Sequence, residues 1–183
     1  MEKRFLPLLL SVLLALVLTA CSEKAGEPVG ETSQAVTEDS SESQNDSAST
    51  LTVRFGHGGD PFDLNLEDND TAAAIARHVG TADWNLPIYH YDDYDGWEVF
   101  QYYDIPSRYE IPSNAETVTA EKAGEIYYSE PNRIVLFYHD GEISGEYTLV
   151  GHFDATEEFI SAVENNPVLE GWGNKIVSIS PGA

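Results

Sequence analysis

Apolar and polar residues alternate along several short segments of this chain, and this period of two constrains the fold more than any other feature of the sequence. Leu51–Phe55 and Phe62–Glu67 both follow the alternation, and Gly56–Pro61 between them contains residues typical of turns. Successive side chains of a β-strand point to opposite faces of its sheet, so the alternation predicts strands with one buried face. Arg133–Tyr138 is apolar at every position after its arginine, which predicts a strand covered on both faces.

The remaining segments complete a mainly β pattern. Further strands are predicted at Leu86–Asp92, Trp97–Tyr103, Gly124–Tyr128, Tyr147–Phe153 and Lys175–Ser180. Two segments instead have the apolar period of a helix. The first is Thr71–Val79, which Asp70 can cap, and the second begins at Asp154 and is ended by Pro167. About eight short strands with two helices fit a closed β-barrel, because closure leaves no sheet edge exposed.

Several short motifs follow one another along this predicted domain. They are Asn69–Ala72, Leu86-Pro87, Trp97–Phe100, Ile105-Pro106, Ala123–Tyr128, Ile134–Tyr138 and Tyr147–Phe153. In order and spacing they resemble the bacterial cyclophilin-like domain family, over nearly all of Leu51–Ser180. The chain departs from that family at Glu125, where aspartate is usual, and in a long insert at Ser107–Val118. The resemblance implies a barrel of about eight strands with helices closing its ends, and it implies no established reaction.

Residues 1–20 have the pattern of a secretory signal. Two basic residues precede the apolar run Phe5–Leu18, which is shorter than the about 20 residues that a membrane-spanning helix needs. Leu18–Cys21 resembles the lipobox of bacterial lipoproteins, in which the cysteine thiol receives a diacylglyceryl group, and Cys21 is the only cysteine of the chain. We therefore predict that acyl chains such as palmitate at Cys21 anchor the protein to the extracytoplasmic face of a bacterial membrane.

Two regions follow this signal. Residues 21–50 are acidic, rich in serine and poor in residues that could be buried, so they are predicted to form a disordered tether. Residues 51–183 have the usual size of one domain. The formal net charge of −23 disfavours nucleic acid as a partner. The same charge is compatible with cation binding or with solubility alone.

A cyclophilin-like fold raises the question of peptidyl-prolyl isomerisation. Working cyclophilins carry their catalytic arginine in a Phe-His-Arg strand motif, and this chain has no such motif. Its candidate arginines in the domain are Arg54, Arg77, Arg108 and Arg133. Without the motif, the sequence favours a protein that has no enzymatic activity, and we assign no catalytic residue.

Familiar metal and nucleophile patterns are also absent from the sequence. The histidines stand singly, and the serine in Gly141–Gly145 does not have the spacing of a nucleophile elbow. Asp63–Glu67 begins like an EF-hand loop, but Asp68 stands where that loop needs glycine, and Ala74 stands where it needs glutamate. We therefore predict neither a metal nor a cofactor.

The segment Tyr89–Phe100 combines tyrosine, tryptophan and phenylalanine rings with aspartate and glutamate. Asp95-Gly96 predicts a hairpin turn within it. A two-residue turn would set Asp93 directly opposite Glu98, whereas a four-residue loop would pair Tyr91 with Glu98 instead. Both registers are compatible with the sequence.

Strand alternation leaves several of these rings on an outer face, where they either pack on the barrel or bind a ligand. We predict a ligand-binding pocket formed by Tyr91, Tyr94, Trp97 and Glu98. The function expected from the sequence is a non-enzymatic binding module for a small molecule or a peptide. A divergent peptidyl-prolyl isomerase acting on exported proteins is the alternative.

Overall fold

Nine strands and two helices make up the part of the chain that the computed structural model describes, residues 50–88, 92, 94–171 and 173–182. The strands are β1 (Thr50–Phe55), β2 (Pro61–Leu66), β3 (Trp84–Ile88), β4 (Phe100–Asp104), β5 (Glu116–Val118), β6 (Glu125–Ser129), β7 (Arg133–Phe137), β8 (Gly145–His152) and β9 (Lys175–Pro181). The helices are α1 (Asp70–Thr81) and α2 (Glu157–Glu164). The mainly β prediction is confirmed. The predicted signal segment and Cys21 lie outside the described residues.

The strands form one antiparallel sheet that stays open. Its order is β3-β9-β1-β2-β8-β6-β7-β4, and β5 pairs with β8 beside this path. Within the described residues β3 and β4 approach each other, but no hydrogen-bonded register joins them, so the predicted closed barrel is wrong. One physical reason is Pro87 in β3, because proline has no N–H to donate and suits an edge strand.

The main hydrophobic core joins the apolar faces of α1 and α2 to one face of the sheet. A second, smaller cluster lies on the other face, around Tyr127 of β6 and its neighbours in β7. Strand β7 contributes to both, because Ile134 and Leu136 belong to the main core and Val135 and Phe137 belong to the second cluster. The prediction that this segment is covered on both faces is confirmed.

Helix α1 begins one residue earlier than predicted. The side-chain oxygen of Asn69 accepts a hydrogen bond of 2.9 Å from the backbone N–H of Ala72, so Asn69 is the cap and the predicted cap, Asp70, is the first helical residue. Asparagine and aspartate are equally good caps. In this structure a distant contact favours Asn69 over Asp70 as the cap, since the Asn69 amide also donates to the main-chain oxygen of Leu149 at 2.8 Å.

Helix α2 begins later than predicted. The hydroxyl of Thr156 accepts a hydrogen bond of 3.2 Å from the backbone N–H of Phe159, so Thr156 is the cap and Asp154 precedes the helix. Of the helices in the described part of the chain, neither α1 nor α2 combines the length and the apolar character needed to cross a bilayer.

Part of the predicted insert is ordered into a strand that the sequence pattern did not indicate. Glu116–Val118 forms β5 and pairs with β8 at Gly145–Tyr147. Upstream of it, the main-chain oxygen of Pro112 accepts a hydrogen bond of 2.7 Å from the hydroxyl of Thr71 in α1. The insert therefore bridges α1 and β8. Its strand has exposed polar side chains, which is why no apolar alternation marks it.

Candidate functional site

A cavity of about 490 Å³ lies beside the gap between β3 and β4. It is built where the turn before β4, the residue after β7, the end of α2 and the start of β9 meet. Its lining residues are Asp92, Trp97, Glu98, Gln101, Tyr138, Glu164 and Lys175. Lys175 is the register partner of Ile88 in β3, and Gln101 lies in β4, so the cavity adjoins the open side of the sheet. Small-molecule sites have volumes of roughly 300–1,000 Å³.

The wall formed by Trp97 and Glu98 is part of a double turn. Trp97 N–H donates to the main-chain oxygen of Tyr94 at 3.3 Å, and Phe100 N–H donates to that of Gly96 at 3.1 Å. Gly96 has a φ of +88°, and a Cβ there would lie 2.6 Å from the Phe100 ring. The predicted turn at this glycine is present, but the strand begins only at Phe100. The predicted strand start at Trp97 is therefore wrong.

One strand partner of β4 lies within the described residues. Strand β4 pairs with β7, and Tyr102 lies opposite Val135. Tyr91 and Asp93 lie outside the described residues, so the two registers proposed for them stay predictions. Strands β4 and β7 are about 30 positions apart in the chain. A local turn signal carries no information about a pairing over that distance.

The four predicted binding residues have different positions. Trp97 and Glu98 line the cavity. Tyr94 lies beside it, where its hydroxyl donates to the main-chain oxygen of Phe100 at 2.5 Å and its ring packs against Phe100 at a centroid distance of 5.2 Å. Burial raises the pKa of Tyr94 above its ordinary value. Tyr94 thus holds the turn in place, and Tyr91 lies outside the described residues.

The floor of the cavity consists of two buried polar side chains, Tyr138 and Gln101. The hydroxyl of Tyr138 donates to the main-chain oxygen of Trp97 at 2.5 Å. The Gln101 amide nitrogen donates to the oxygen of Val163 at 3.4 Å, and its amide oxygen accepts from the Tyr103 hydroxyl at 2.6 Å. Burial and then the carboxylates of neighbouring glutamates raise the pKa of Tyr138 to about 12. The hydrogen bonds fix both side chains.

Charged groups surround this floor. The Lys175 ammonium donates to the main-chain oxygen of Glu164 at 3.2 Å, and His139 Nε2 lies 3.0 Å from Glu164 Oε1. Burial lowers the pKa of Lys175, and the carboxylate of Asp92 acts in the opposite direction. The site therefore combines an aromatic wall with carboxylates at its edge.

Sequence reasoning missed most of the lining. Gln101 is a polar residue inside a strand, and Tyr138 ends an apolar run with a polar hydroxyl, so both carried a weak signal. Asp92 lies in the acidic and aromatic segment Tyr89–Phe100 but was not singled out. Glu164 and Lys175 carried no signal, because only the folded chain brings them to the cavity.

Arg54 and Arg133, two of the candidate arginines, have contacts away from the cavity. Arg54 Nη1 donates to the main-chain oxygen of Gly59 at 2.7 Å. Arg133 Nε lies 3.0 Å from an oxygen of Asp104, and its guanidinium lies 4.1 Å from the centre of the Tyr102 ring. In the described part of the chain no arginine lines the cavity, and no three histidine, cysteine or acidic side chains come close enough to hold a metal ion.

A comparison of the sequence with models of known protein families agrees with the fold described above. Residues 55–170 match the cyclophilin-like family. The chain belongs to this family. The matched segment of the cyclophilin-like chain contains every lining residue of the cavity except Lys175. No curated protein matches the chain.

A solved structure of McbB in complex with tryptophan is similar in fold. The TM-score is 0.52 at 14% sequence identity, and the match covers 73% of this cyclophilin-like chain and 45% of the McbB chain. This chain thus spans less than half of McbB. At so low an identity the likeness shows the fold alone.

Proposed function

We propose that this cyclophilin-like domain is a non-enzymatic binding module for a small molecule or a peptide, and that it binds its ligand in the cavity beside β4. The observation that carries the proposal is the combination, in about 490 Å³, of an aromatic wall, a buried polar floor and charged groups at the edge. Ligand sites typically have this composition, an apolar lining with a few placed polar groups.

The accessibility of Trp97 supports binding rather than internal packing. This indole is 40% exposed, and Val168 is the other large apolar side chain with comparable exposure in the described residues. The turn around Gly96 and the hydrogen bond from Tyr138 hold Trp97 in place. A wall that is already ordered lowers the entropic cost of binding a ligand.

Side-chain chemistry favours binding over catalysis. An isomerase would need an arginine beside the pocket to polarise the prolyl peptide bond. Arg133 is engaged with Asp104 and Tyr102, and Arg54 with Gly59. A divergent peptidyl-prolyl isomerase acting on exported proteins is the alternative function. A proline-peptide isomerisation assay tests it, since catalysis that disappears on replacing one arginine would contradict the non-enzymatic proposal.

The location is part of the same proposal. Cys21 would carry acyl chains, and residues 21–50 would connect the lipid to the domain. A flexible chain of that length has a root-mean-square extension of about 30 Å. The domain would then lie at the extracytoplasmic face of a bacterial membrane. The support for this location is the sequence pattern around Cys21.

A thermal-unfolding screen tests the binding function. The full chain in detergent would be heated with a panel of cationic, neutral and anionic small molecules and blocked tripeptides. A ligand at 100 times its Kd stabilises the folded state by about 2.7 kcal/mol. We expect at least one compound to raise the Tm of the wild type and of Val168→Ala, but not of Trp97→Leu. A panel without effect, or an effect equal in all three proteins, would contradict the proposal.

A further inference from the structure

We infer that the cavity binds an organic cation, meaning an ammonium or guanidinium group on a carbon body. This inference rests on the proposed binding function and specifies the ligand of the same cavity. Three features of the lining carry it, namely an excess of carboxylates, an accessible aromatic wall and a predominance of hydrogen-bond acceptors over donors.

Carboxylates outnumber basic groups in the lining. Among the described lining residues, the charged side chains are those of Asp92, Glu98, Glu164 and Lys175. The ammonium of Lys175 donates to the main-chain oxygen of Glu164, and the Asp92 carboxylate acts on it electrostatically. Lys175 is therefore already matched with acidic and carbonyl groups. An incoming cation would offset the remaining negative charge, whereas an anion would add to it.

The aromatic wall suits the same ligand. The face of an aromatic ring attracts a cation, and tryptophan does so most strongly. Trp97 is 40% exposed in the wall of the cavity. The described residues contain this kind of contact elsewhere, since Arg108 lies 4.5 Å from the centre of the Tyr109 ring and Arg133 lies 4.1 Å from that of Tyr102. A guanidinium or ammonium group of a ligand, placed over the Trp97 ring, would make the same kind of cation–π contact.

Hydrogen-bond acceptors outnumber donors in the described lining of the cavity. The hydroxyl hydrogen of Tyr138 is used on the oxygen of Trp97. One N–H of the Gln101 amide is used on the main-chain oxygen of Val163, and the amide oxygen accepts from the Tyr103 hydroxyl. Besides the second N–H of Gln101 and the ammonium of Lys175, the lining offers the phenol oxygen of Tyr138 and three carboxylates, so acceptors predominate over donors. Ammonium and guanidinium groups are donors without acceptors, so their hydrogen bonding complements this lining.

Two sources could supply such a cation. One is a free organic amine, and the other is an arginine or lysine side chain within a peptide. The cavity, about 490 Å³, has room for the carbon body of either ligand. The shared chemistry is the cationic group, and the probes below distinguish the sources.

Calorimetric titration of the full chain in detergent tests the inference with four probes. The probes are agmatine and three tripeptides with blocked ends, Gly-Arg-Gly, Gly-citrulline-Gly and Gly-Glu-Gly. Citrulline keeps the shape of arginine but replaces its charge with a neutral urea group. We expect the arginine tripeptide to bind at least about tenfold more tightly than the citrulline tripeptide. Tighter binding of agmatine than of the arginine tripeptide identifies a free amine as the source, and the reverse order identifies a peptide.

Variants of the lining provide the second arm of the test. Glu98→Gln and Asp92→Asn each remove one exposed carboxylate and should weaken the arginine tripeptide about fivefold. Glu146→Gln removes an exposed carboxylate of β8 that does not line the cavity, and should leave the affinity unchanged. If either Glu98→Gln or Asp92→Asn fails to fold, the other variant still tests the inference.

The outcomes separate this inference from the proposed function. Equal binding of the arginine and citrulline tripeptides, tighter binding of the glutamate tripeptide, or no binding of either cationic probe would overturn the cation inference. The proposed binding function would survive each of these results if another compound of the unfolding screen stabilises the wild type through Trp97. Failure of that screen as well would overturn both.

Discussion

The hydroxyl of Tyr138 donates a hydrogen bond of 2.5 Å to the main-chain oxygen of Trp97. Tyr138 is 4% exposed and Trp97 is 40% exposed, so a buried side chain after β7 holds an accessible ring at the wall of the cavity. The contact joins two segments that are about 40 positions apart in the chain and far beyond the reach of local turn signals. Through it, the position of the wall depends on the packing of the core.

Tyr138→Phe removes this hydrogen bond and little else. We expect the free energy of unfolding to fall by about 0.5–1.5 kcal/mol, because a typical intramolecular hydrogen bond contributes that much. Affinity for the cationic probes should also fall, since the wall becomes less ordered. Tyr128→Phe is the matched control, because its hydroxyl donates to the main-chain oxygen of Pro131, away from the cavity. Urea unfolding and calorimetry should show a similar stability loss in both variants, but an affinity loss only in Tyr138→Phe.

Raising the pH above 10 should lower the free energy of unfolding, in part because of Tyr138. Burial, followed by the carboxylates of Glu164 and Glu98, raises the pKa of Tyr138 from 10.0 to about 12. The unfolded chain loses this proton first and binds fewer protons than the folded chain between these values, so the free energy of unfolding falls as pH rises from 10 to 12. Burial raises the pKa of Tyr94 and Tyr103 as well, so other residues share in the fall.

Urea unfolding at a series of pH values measures this effect. Tyr138→Phe should make the fall above pH 10 shallower than in the wild type, while leaving the slope below pH 10 unchanged. A variant whose stability falls as steeply as that of the wild type would show that Tyr138 is not among the groups responsible.

Gly96→Ala should disturb the turn that carries Trp97. The backbone of Gly96 has a φ of +88°, and a Cβ would lie 2.6 Å from Phe100 Cε1 and 2.8 Å from Ile143 Cδ1. We expect a loss of about 2 kcal/mol or more in the free energy of unfolding. Gly58→Ala is the control, because Gly58 has a similar φ of +80° but no atom within 4 Å of the added Cβ. Equal losses in the two variants would mean that the contact around Gly96 is not tight.

Regular features of the sequence predicted much of the fold. Alternation located β1 and β2, and the apolar run of β7 correctly indicated burial on both faces, because both signals depend on side-chain direction along one strand. Trp97 and Glu98 could be singled out as cavity residues because aromatic rings and acidic side chains are dense in Tyr89–Phe100, and several of the rings were expected to face outward.

Features that depend on distant contacts could not be predicted. The sheet stays open between β3 and β4, and the pairing of β4 with β7 is decided by the whole sheet. The cap of α1 is Asn69 because of its contact with Leu149, and either Asn69 or Asp70 satisfies the local rule. Glu164 and Lys175 reach the cavity from α2 and β9, and neither position differs in sequence from an ordinary surface residue.

Lipidation at Cys21 has a direct test. Cys21→Ala should abolish the incorporation of labelled palmitate and release the protein from the membrane fraction, because no other cysteine is available. Ser22→Ala, at the neighbouring position, should keep both the label and the membrane association. Unchanged membrane retention of Cys21→Ala would contradict the anchor.

The indole N–H resonance of Trp97 tests the central claim, that the cavity beside β4 is a ligand site. It can be assigned by comparing the ¹⁵N spectrum of the wild type with that of Trp97→Leu, since the chain has three tryptophans. The blocked Gly-Arg-Gly tripeptide would be titrated into the ¹⁵N-labelled full chain in detergent. We predict that the Trp97 resonance shifts in a saturable manner, that the Trp84 resonance does not, and that the citrulline tripeptide has a much smaller effect. A Trp97 resonance that does not move with any member of the ligand panel would contradict the account.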